Sequence, residues 1–161
     1  MMPISLYQEG IILGEKHNRD NVNDIDEDLE RTVTIILADD DKKILEMLSP
    51  KLSERGYNVL SHRDKIAALI ELKKIKEQGQ DNPLIISDIM SPITDGFEFF
   101  KRARDLIPDI KFIFCTAHGT AEYINRARQM GANAYIKKPV ELNVLYQSIE
   151  RVLQGEAFFQ V

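Results

Sequence analysis

A short apolar segment that ends in a carboxylate constrains the fold of this chain most strongly. Residues 83–88 read Pro-Leu-Ile-Ile-Ser-Asp, with three consecutive apolar side chains before the polar end. Such a run is typical of a strand that is buried on both faces of a parallel sheet. Pro92 and the Asp95-Gly96 pair follow as turn signals. Asp88 is therefore predicted at the carboxyl end of a central strand, where open α/β sheets bind ligands.

Similar segments recur along the chain and alternate with helical patterns. Further strands are predicted at residues 32–38, 57–60, 111–115 and 134–137. Helical spacing of apolar residues predicts five helices, which lie before Gly56, after Asp64, over 97–106, from Thr120 to Met130 and over about 141–154. The helix after Asp64 is predicted to bury Ile66, Leu69, Ile70 and Leu72. Strict alternation of strands and helices predicts an α/β fold, with a parallel five-stranded sheet and helices on both faces.

The charge of the chain is unevenly distributed. The net charge is −5, but residues 1–30 hold eight acidic and two basic residues, so residues 31–161 carry +1. A nearly neutral domain argues against direct binding of nucleic acid, which needs a basic face. Residues 1–30 are predicted to be an acidic, flexible leader, residues 31–155 the folded domain, and residues 156–161 a C-terminal tail.

The single cysteine and the short apolar runs restrict the cellular setting. One cysteine, Cys115, cannot form an intrachain disulfide and fits a reducing, cytoplasmic location. No apolar run approaches the ~18 residues that a membrane-spanning helix needs. The N-terminus lacks the basic and apolar regions of a secretory signal. We therefore expect a cytoplasmic protein with no membrane partner.

Polar residues stand at the ends of four predicted strands. Asp39 and Asp40 follow the first strand, Asp88 the third, Thr116 the fourth and Lys138 the fifth. Clustered carboxylates repel one another unless a cation joins them, and an all-oxygen set suits Mg²⁺. A hydroxyl and an ammonium are suitable partners for the remaining oxygens of a phosphoryl group. Because a carboxylate can itself be a nucleophile, the set indicates Mg²⁺-assisted phosphoryl transfer to a carboxylate.

The order and spacing of these motifs resemble the receiver domain of two-component response regulators. The resemblance covers roughly residues 32–154 and is carried by the segments 36–40, 87–96, 115–117 and 135–139. It implies a flavodoxin-like (βα)5 doubly wound fold. It also implies a signalling switch that is a phosphoacceptor with self-phosphorylation and slow self-dephosphorylation activity, rather than a conventional enzyme.

The resemblance implies a role for each matching residue. Asp88 would accept the phosphoryl group from a phosphohistidine on a histidine kinase or a histidine phosphotransfer protein. Asp39, Asp40, Asp88 and the main-chain carbonyl of Met90 would hold Mg²⁺. Phosphorylation would then switch a surface that is formed by the fourth helix, the fifth strand and the fifth helix and that binds a downstream protein partner. The resemblance is also compatible with a homodimer.

Three further roles follow from the same resemblance. Thr116 would bond the phosphoryl oxygens and Lys138 would pair with the phosphoryl group. The Lys138-Pro139 bond would be cis and would aim the lysine at the pocket. Tyr135 matches an aromatic switch that turns inward when Thr116 moves toward the phosphoryl group.

Some positions depart from the family pattern, and three alternatives stay open. Ser91 replaces a frequent methionine, Met90 cannot position an attacking water through its side chain, and His118 either helps or hinders that water. The chain could be a pseudo-receiver that binds partners without phosphorylation, or a fragment of a larger regulator. A hydrolase of the haloacid-dehalogenase kind also uses an aspartyl nucleophile, but that family has an aspartate where Met90 stands here.

Overall fold

The structure is a computed structural model, and it describes residues 31–91 and 94–160. The predicted leader, residues 1–30, lies outside the described residues, as do Pro92 and Ile93 of the loop after Asp88. None of the helices in the described part of the chain combines the length and the apolar character needed to cross a bilayer.

Strands and helices alternate along the domain. The strands are β1 Thr34–Ala38, β2 Asn58–His62, β3 Leu84–Ser87, β4 Lys111–Thr116, β5 Ala134–Lys137 and β6 Phe158–Phe159. The helices are α1 Lys42–Glu54, α2 Lys65–Glu77, α3 Gly96–Leu106, α4 Ala121–Met130 and α5 Leu142–Leu153. All paired strands are parallel, in the order β2-β1-β3-β4-β5-β6. The predicted α/β, flavodoxin-like doubly wound fold is confirmed.

The sheet has six strands, so the predicted number of five is short by one. β6 comes from the segment that was predicted to be a tail, and it pairs with β5 through Ala134↔Phe158 and Tyr135↔Phe159. The amide of Phe158 donates to the carbonyl of Asn133, and the amide of Gln160 donates to that of Tyr135, both at 2.9 Å. A strand of two residues is too short to show an alternation of apolar and polar residues. Strand β6 is therefore defined by its pairing with β5 and not by a pattern in its own sequence.

The two faces of the sheet carry separate hydrophobic layers. In β4, Phe112 and Phe114 point to one face, whereas Ile113 and Cys115 point to the other, as the two-residue period of a strand requires. The first face is covered by α2, α3 and α4, and its core includes five phenylalanines, Phe97, Phe99, Phe100, Phe112 and Phe114. The second face is covered by α1 and α5. The sheet is therefore buried on both faces, and the strand ends remain available for a site.

Helix α2 is rotated relative to its prediction. Ile66 and Ile70, which were predicted to be buried, are 44% and 54% exposed. Leu72 is buried as predicted, and the other buried residues of the helix are Lys65, Ala68 and Ile75. This set follows true helical spacing, and the small Ala68 lets the helix lie close to the sheet. The prediction was wrong for Ile66 and Ile70 because the buried stripe begins with a lysine, a residue type that is rarely buried.

Candidate functional site

Three carboxylates meet where β1 and β3 end. The two strands are adjacent and parallel, with Ala38 paired to Ser87, and the amide of Asp88 donates to the carbonyl of Ala38 at 3.1 Å. Asp39 and Asp88 therefore leave the same edge of the sheet side by side. One carboxylate oxygen from each of Asp39, Asp40 and Asp88 lies within 4.8 Å of the others. Sequence reasoning predicted this convergence, and the structure places these three predicted residues together.

Lys138 reaches the acidic cluster from the far side of β4. Its ammonium donates to Asp39 Oδ2 at 2.7 Å and lies 3.5 Å from Asp88 Oδ2. Its main-chain amide donates to the carbonyl of Thr116 at 2.9 Å, which ties the end of β5 to the end of β4. The Lys138-Pro139 bond is cis, as predicted. One cation thus contacts two of the three acids.

Burial and ion pairing shift the pKa values of Asp39 and Lys138 in opposite directions. Burial raises the pKa of Asp39, against the hydrogen bonds from Lys138 and from the Asp41 amide. Burial alone would lower the pKa of Lys138, but the hydrogen bond to Asp39 and the charges of Asp39 and Asp88 outweigh it, so this pKa is raised. Lys138 is therefore a permanent cation in the pocket at neutral pH.

Local hydrogen bonds orient the Asp88 carboxylate. Its Oδ1 accepts a hydrogen bond from the Ile89 amide at 2.7 Å, so its Oδ2 is the oxygen turned toward Lys138. The Ile89 carbonyl in turn accepts from the Gly96 amide at 2.7 Å, which joins the loop to the start of α3. Asp88 is 8% exposed. The carboxylate is thus held firmly but remains open to a small reactant.

Thr116 and Tyr135 are both buried and both contact His118. The Thr116 Oγ1 accepts a hydrogen bond from the His118 amide at 3.2 Å. The Tyr135 hydroxyl donates to the His118 carbonyl. The ring of Tyr135 is fully buried, so the aromatic side chain that was predicted to turn inward lies inward here. A movement of the loop at His118 would therefore affect both side chains.

The burial of Tyr135 predicts a loss of stability in alkali. Burial, reinforced by Tyr123 and the charge of Asp88, raises its pKa to about 12, compared with ~10 in an unfolded chain. The stabilising contribution is complete below pH ~10 and is lost as the pH rises toward about 12. We expect a Tyr135→Phe variant to lose less free energy of unfolding between pH 8 and 11, with a difference on the order of 1 kcal/mol.

Urea titrations of both proteins at several pH values would measure this difference. The variant loses the hydrogen bond to His118 at every pH, so the comparison rests on the slope against pH and not on the absolute stability. Parallel slopes for the two proteins would contradict the assignment.

Met90 lies in the loop two residues beyond Asp88, and its side chain is 49% exposed. The side chain of the neighbouring Ser91 is engaged locally, because its hydroxyl donates to the Thr94 carbonyl at 2.8 Å. The role of the Met90 carbonyl as a metal ligand stays a prediction, as do the roles assigned to Thr116 and Tyr135.

Sequence reasoning missed one charged residue beside the site. Lys65 is 3% exposed and is the first residue of the buried stripe of α2. The helical spacing Lys65-Ala68-Leu72-Ile75 was the signal that could have found it.

Comparison with known proteins identifies the family. The chain matches the family model for the response regulator receiver domain over residues 35–150. It is 31% identical over 123 residues to the transcriptional regulatory protein GlrR of Escherichia coli (strain K12), which covers 76% of this chain and 27% of that protein. It is 31% identical over 122 residues to the DNA-binding transcriptional regulator NtrC of Azospirillum brasilense, which covers 76% of this chain and 24% of that protein. The chain thus spans about a quarter of the length of these relatives.

Solved structures agree with the sequence relatives. A CheY-like receiver domain protein from Methanospirillum hungatei JF-1 superimposes with a TM-score of 0.70 at 28% identity, over 78% of this chain and 96% of that one. The chemotaxis protein CheY4 of Vibrio cholerae superimposes with a TM-score of 0.66 at 27% identity, over 76% of this chain and 99% of that one. The three acids and the lysine described above lie on the fold that these proteins share. The chain belongs to the receiver-domain family of response regulators.

Proposed function

We propose that Asp88 accepts a phosphoryl group in a reaction that requires Mg²⁺, and that the adduct switches a protein-binding surface. The observation that carries this proposal is the arrangement of Asp39, Asp40 and Asp88 within 4.8 Å of one another, with the Lys138 ammonium 2.7 Å from Asp39 and 3.5 Å from Asp88. Such a set combines a nucleophile, a site for a divalent cation and a fixed positive charge in one pocket.

The donor atoms of the acidic cluster fit Mg²⁺. They are all oxygens, and Mg²⁺ is bound in proteins by one or two carboxylates together with water and phosphate oxygens. We assign Asp39, Asp40, Asp88 and the Met90 carbonyl as the residues that would hold the ion. A bound Mg²⁺ would supply positive charge against the phosphoryl oxygens. The ion would also offset the mutual repulsion of the three carboxylates.

The proposed transfer takes a phosphoryl group from a phosphohistidine. A carboxylate oxygen of Asp88 forms the new O–P bond while the P–N bond breaks, and the leaving imidazole keeps the electron pair and takes up a proton. The Lys138 ammonium stabilises the negative charge on the phosphoryl oxygens. Thr116, at the end of the neighbouring strand, is the proposed hydroxyl partner of the same oxygens. The donor would be a histidine kinase or a histidine phosphotransfer protein.

The proposed output surface is formed by α4, β5 and α5, and it includes β6 in this chain. Phe159 packs on the α4 side, under the guanidinium of Arg128 at 4.7 Å from the ring centroid. Phe158 packs on the α5 side, with Arg151 at 5.5 Å. A downstream protein or a second copy that used this face would therefore contact Phe158 and Phe159 as well as the three predicted elements. The absence of direct nucleic-acid binding stays a prediction.

One observation argues against the hydrolase alternative. Met90 occupies the position two residues after the nucleophile, and its thioether cannot act as the general acid or base that turnover of a phosphomonoester would need. A phosphorylation-independent binding module has the same fold, so only chemistry separates it from the proposed switch.

Incubation with acetyl phosphate and Mg²⁺ tests the proposal. We expect an intact mass larger by one phosphoryl group, prevented by a chelator of Mg²⁺ and reversed by hydroxylamine, which cleaves acyl phosphates. Asp88→Asn should form no adduct, and Asp109→Asn is its matched control, because Asp109 is an exposed carboxylate that precedes β4, at the opposite edge of the sheet. No adduct would support the binding module, and rapid turnover of varied phosphomonoesters would support the hydrolase; either result would overturn the proposal.

A further inference from the structure

A buried lysine heads the inward face of α2. Lys65, Ala68, Leu72 and Ile75 form one stripe, and Lys65 is only 3% exposed. Its neighbour Ile66 is 44% exposed, so the helix turns an apolar side chain outward and a charged one inward. The apolar stem of a lysine can be buried while its ammonium keeps a path to solvent, and the Lys65 ammonium is not among the fully buried, unpartnered polar atoms of the described residues. At this site the ion pairs among the described residues are made by Lys138 and not by Lys65.

The backbone brings this lysine to the edge of the sheet that carries Asp88. Strand β2 ends at His62, which pairs with Ala38 of β1, and the His62 carbonyl accepts a hydrogen bond from the Asp39 amide at 3.1 Å. The Asp64 side chain then begins α2 by accepting from the Ile66 amide at 2.9 Å. Lys65 is therefore the first residue of α2 and follows the end of β2 at His62 by three positions.

The buried face of α2 packs into the same layer as Ala38 and Ile89, which adjoin Asp39 and Asp88 in the chain. Its first member, Lys65, is the member closest to the strand ends, because the helix runs away from them. Burial lowers the pKa of Lys65, and the charges of four nearby carboxylates oppose that effect, with Asp88 first and then Asp40, Asp39 and Asp95. The negative charges of the acidic cluster thus favour the protonated form of two lysines, Lys138 and Lys65.

We propose that Lys65 is a second cation for the phosphoryl group on Asp88, and that it acts from the β2 side of the site while Lys138 acts from the β5 side. This inference rests on the proposed function. The lysine has no function in the sequence motifs that the family resemblance uses. A phosphoryl group attached to Asp88, with a charge of about −1.5 to −2, would give the Lys65 ammonium an anionic partner.

The proposal predicts that the Lys65 charge weakens the binding of Mg²⁺ but lengthens the lifetime of the phosphoryl group on Asp88. Before phosphorylation, the positive charge of Lys65 partly neutralises the three carboxylates and so weakens their attraction for Mg²⁺. After phosphorylation, the same charge stabilises the adduct. A Lys65→Met variant keeps the length and apolar stem of the side chain but removes the charge. It should therefore bind Mg²⁺ more tightly, by about threefold or more, and should lose its phosphoryl group faster by a similar factor.

Two measurements on the full chain test this prediction. Calorimetric titration with Mg²⁺ alone gives the affinity, and the intact mass followed after removal of acetyl phosphate gives the half-life of the adduct. Lys74→Met is the matched control, since Lys74 is an exposed lysine of the same helix and the change in net charge is identical. Lys65→Arg should stay close to the wild type in both measurements. If Lys65→Met folds poorly, Lys65→Gln provides a second neutral variant.

The outcomes separate this inference from the proposed function. A wild type that forms no adduct overturns both. If the wild type forms the adduct but Lys65→Met matches Lys74→Met in half-life, Lys65 does not act on the phosphoryl group and the inference is wrong. A shorter half-life together with tighter Mg²⁺ binding, in the Lys65 neutral variants alone, is the result expected.

Discussion

An Asp88→Asn variant should take up no phosphoryl group and should unfold less readily than the wild type in buffer without Mg²⁺. The amide is not a nucleophile toward phosphorus, so the adduct cannot form. The same change removes one of three carboxylates that lie within 4.8 Å of one another. Relief of that repulsion should raise the free energy of unfolding by about 0.5–1 kcal/mol at low ionic strength. Lys138 keeps its closer partner, Asp39, at 2.7 Å.

Addition of Mg²⁺ should remove the higher stability of the Asp88→Asn variant. A ligand that binds the native state stabilises it more as its affinity rises, and the wild type offers Mg²⁺ one more carboxylate than the variant. Urea titrations with and without Mg²⁺ would measure the reversal, and Asp109→Asn would again control for net charge. A variant that is less stable than the wild type in the absence of Mg²⁺ would show that Asp88 contributes more through its contacts than it costs through repulsion.

A Gly96→Ala variant should be the most destabilised of the single substitutions considered. A Cβ atom at Gly96 would lie 2.4 Å from the carbonyl oxygen of Asp88 and 2.6 Å from the Cα of Ile89. Both are main-chain atoms of the loop that orients the nucleophile, so neither can move aside as the tip of a side chain could. We expect a loss of about 3 kcal/mol or more in the free energy of unfolding, together with slower formation of the adduct.

Gly119→Ala is the appropriate comparison for this effect. The three atoms nearest to a Cβ at Gly119 all belong to the side chain of Lys137, the first at 3.0 Å, and that flexible chain can move. The loss at Gly119 should stay below about 1 kcal/mol. Equal losses for the two variants, measured by urea unfolding, would mean that the approach of Gly96 to the Asp88-Ile89 peptide does not limit stability.

The sequence was sufficient to predict the fold and the convergence of the acids because both follow from local signals. Three apolar residues before Asp88 predict a buried strand, and parallel strands bring their carboxyl ends to one edge. The same reasoning placed Asp39, Asp40 and Lys138 at that edge. What the sequence could not supply was information that depends on packing.

Two differences show what packing decides. The prediction placed Ile66 and Ile70 inside, whereas the face of α2 that packs in the core carries Ala68, Leu72 and Ile75, with Lys65 at its start. Strand β6 was missed because two residues carry no period, and only the free edge of β5 makes them a strand. Strand β6 has no signature in the local sequence, whereas the spacing of the buried α2 stripe is present there but fits more than one rotation of the helix.

Strand β6 also changes what the domain offers to other chains. A free β5 edge would present unpaired main-chain groups that can template the addition of foreign strands. Here the Phe158 amide donates to Asn133, directly before β5, and the Gln160 amide donates to Tyr135 of β5. The Gln160 side chain also accepts a hydrogen bond from the Lys137 amide at 2.9 Å. The exposed border is reduced to two bulky residues flanked by arginines. Other proteins that bind at this edge should therefore contact side chains, and edge-to-edge pairing into an intermolecular β-sheet is disfavoured there.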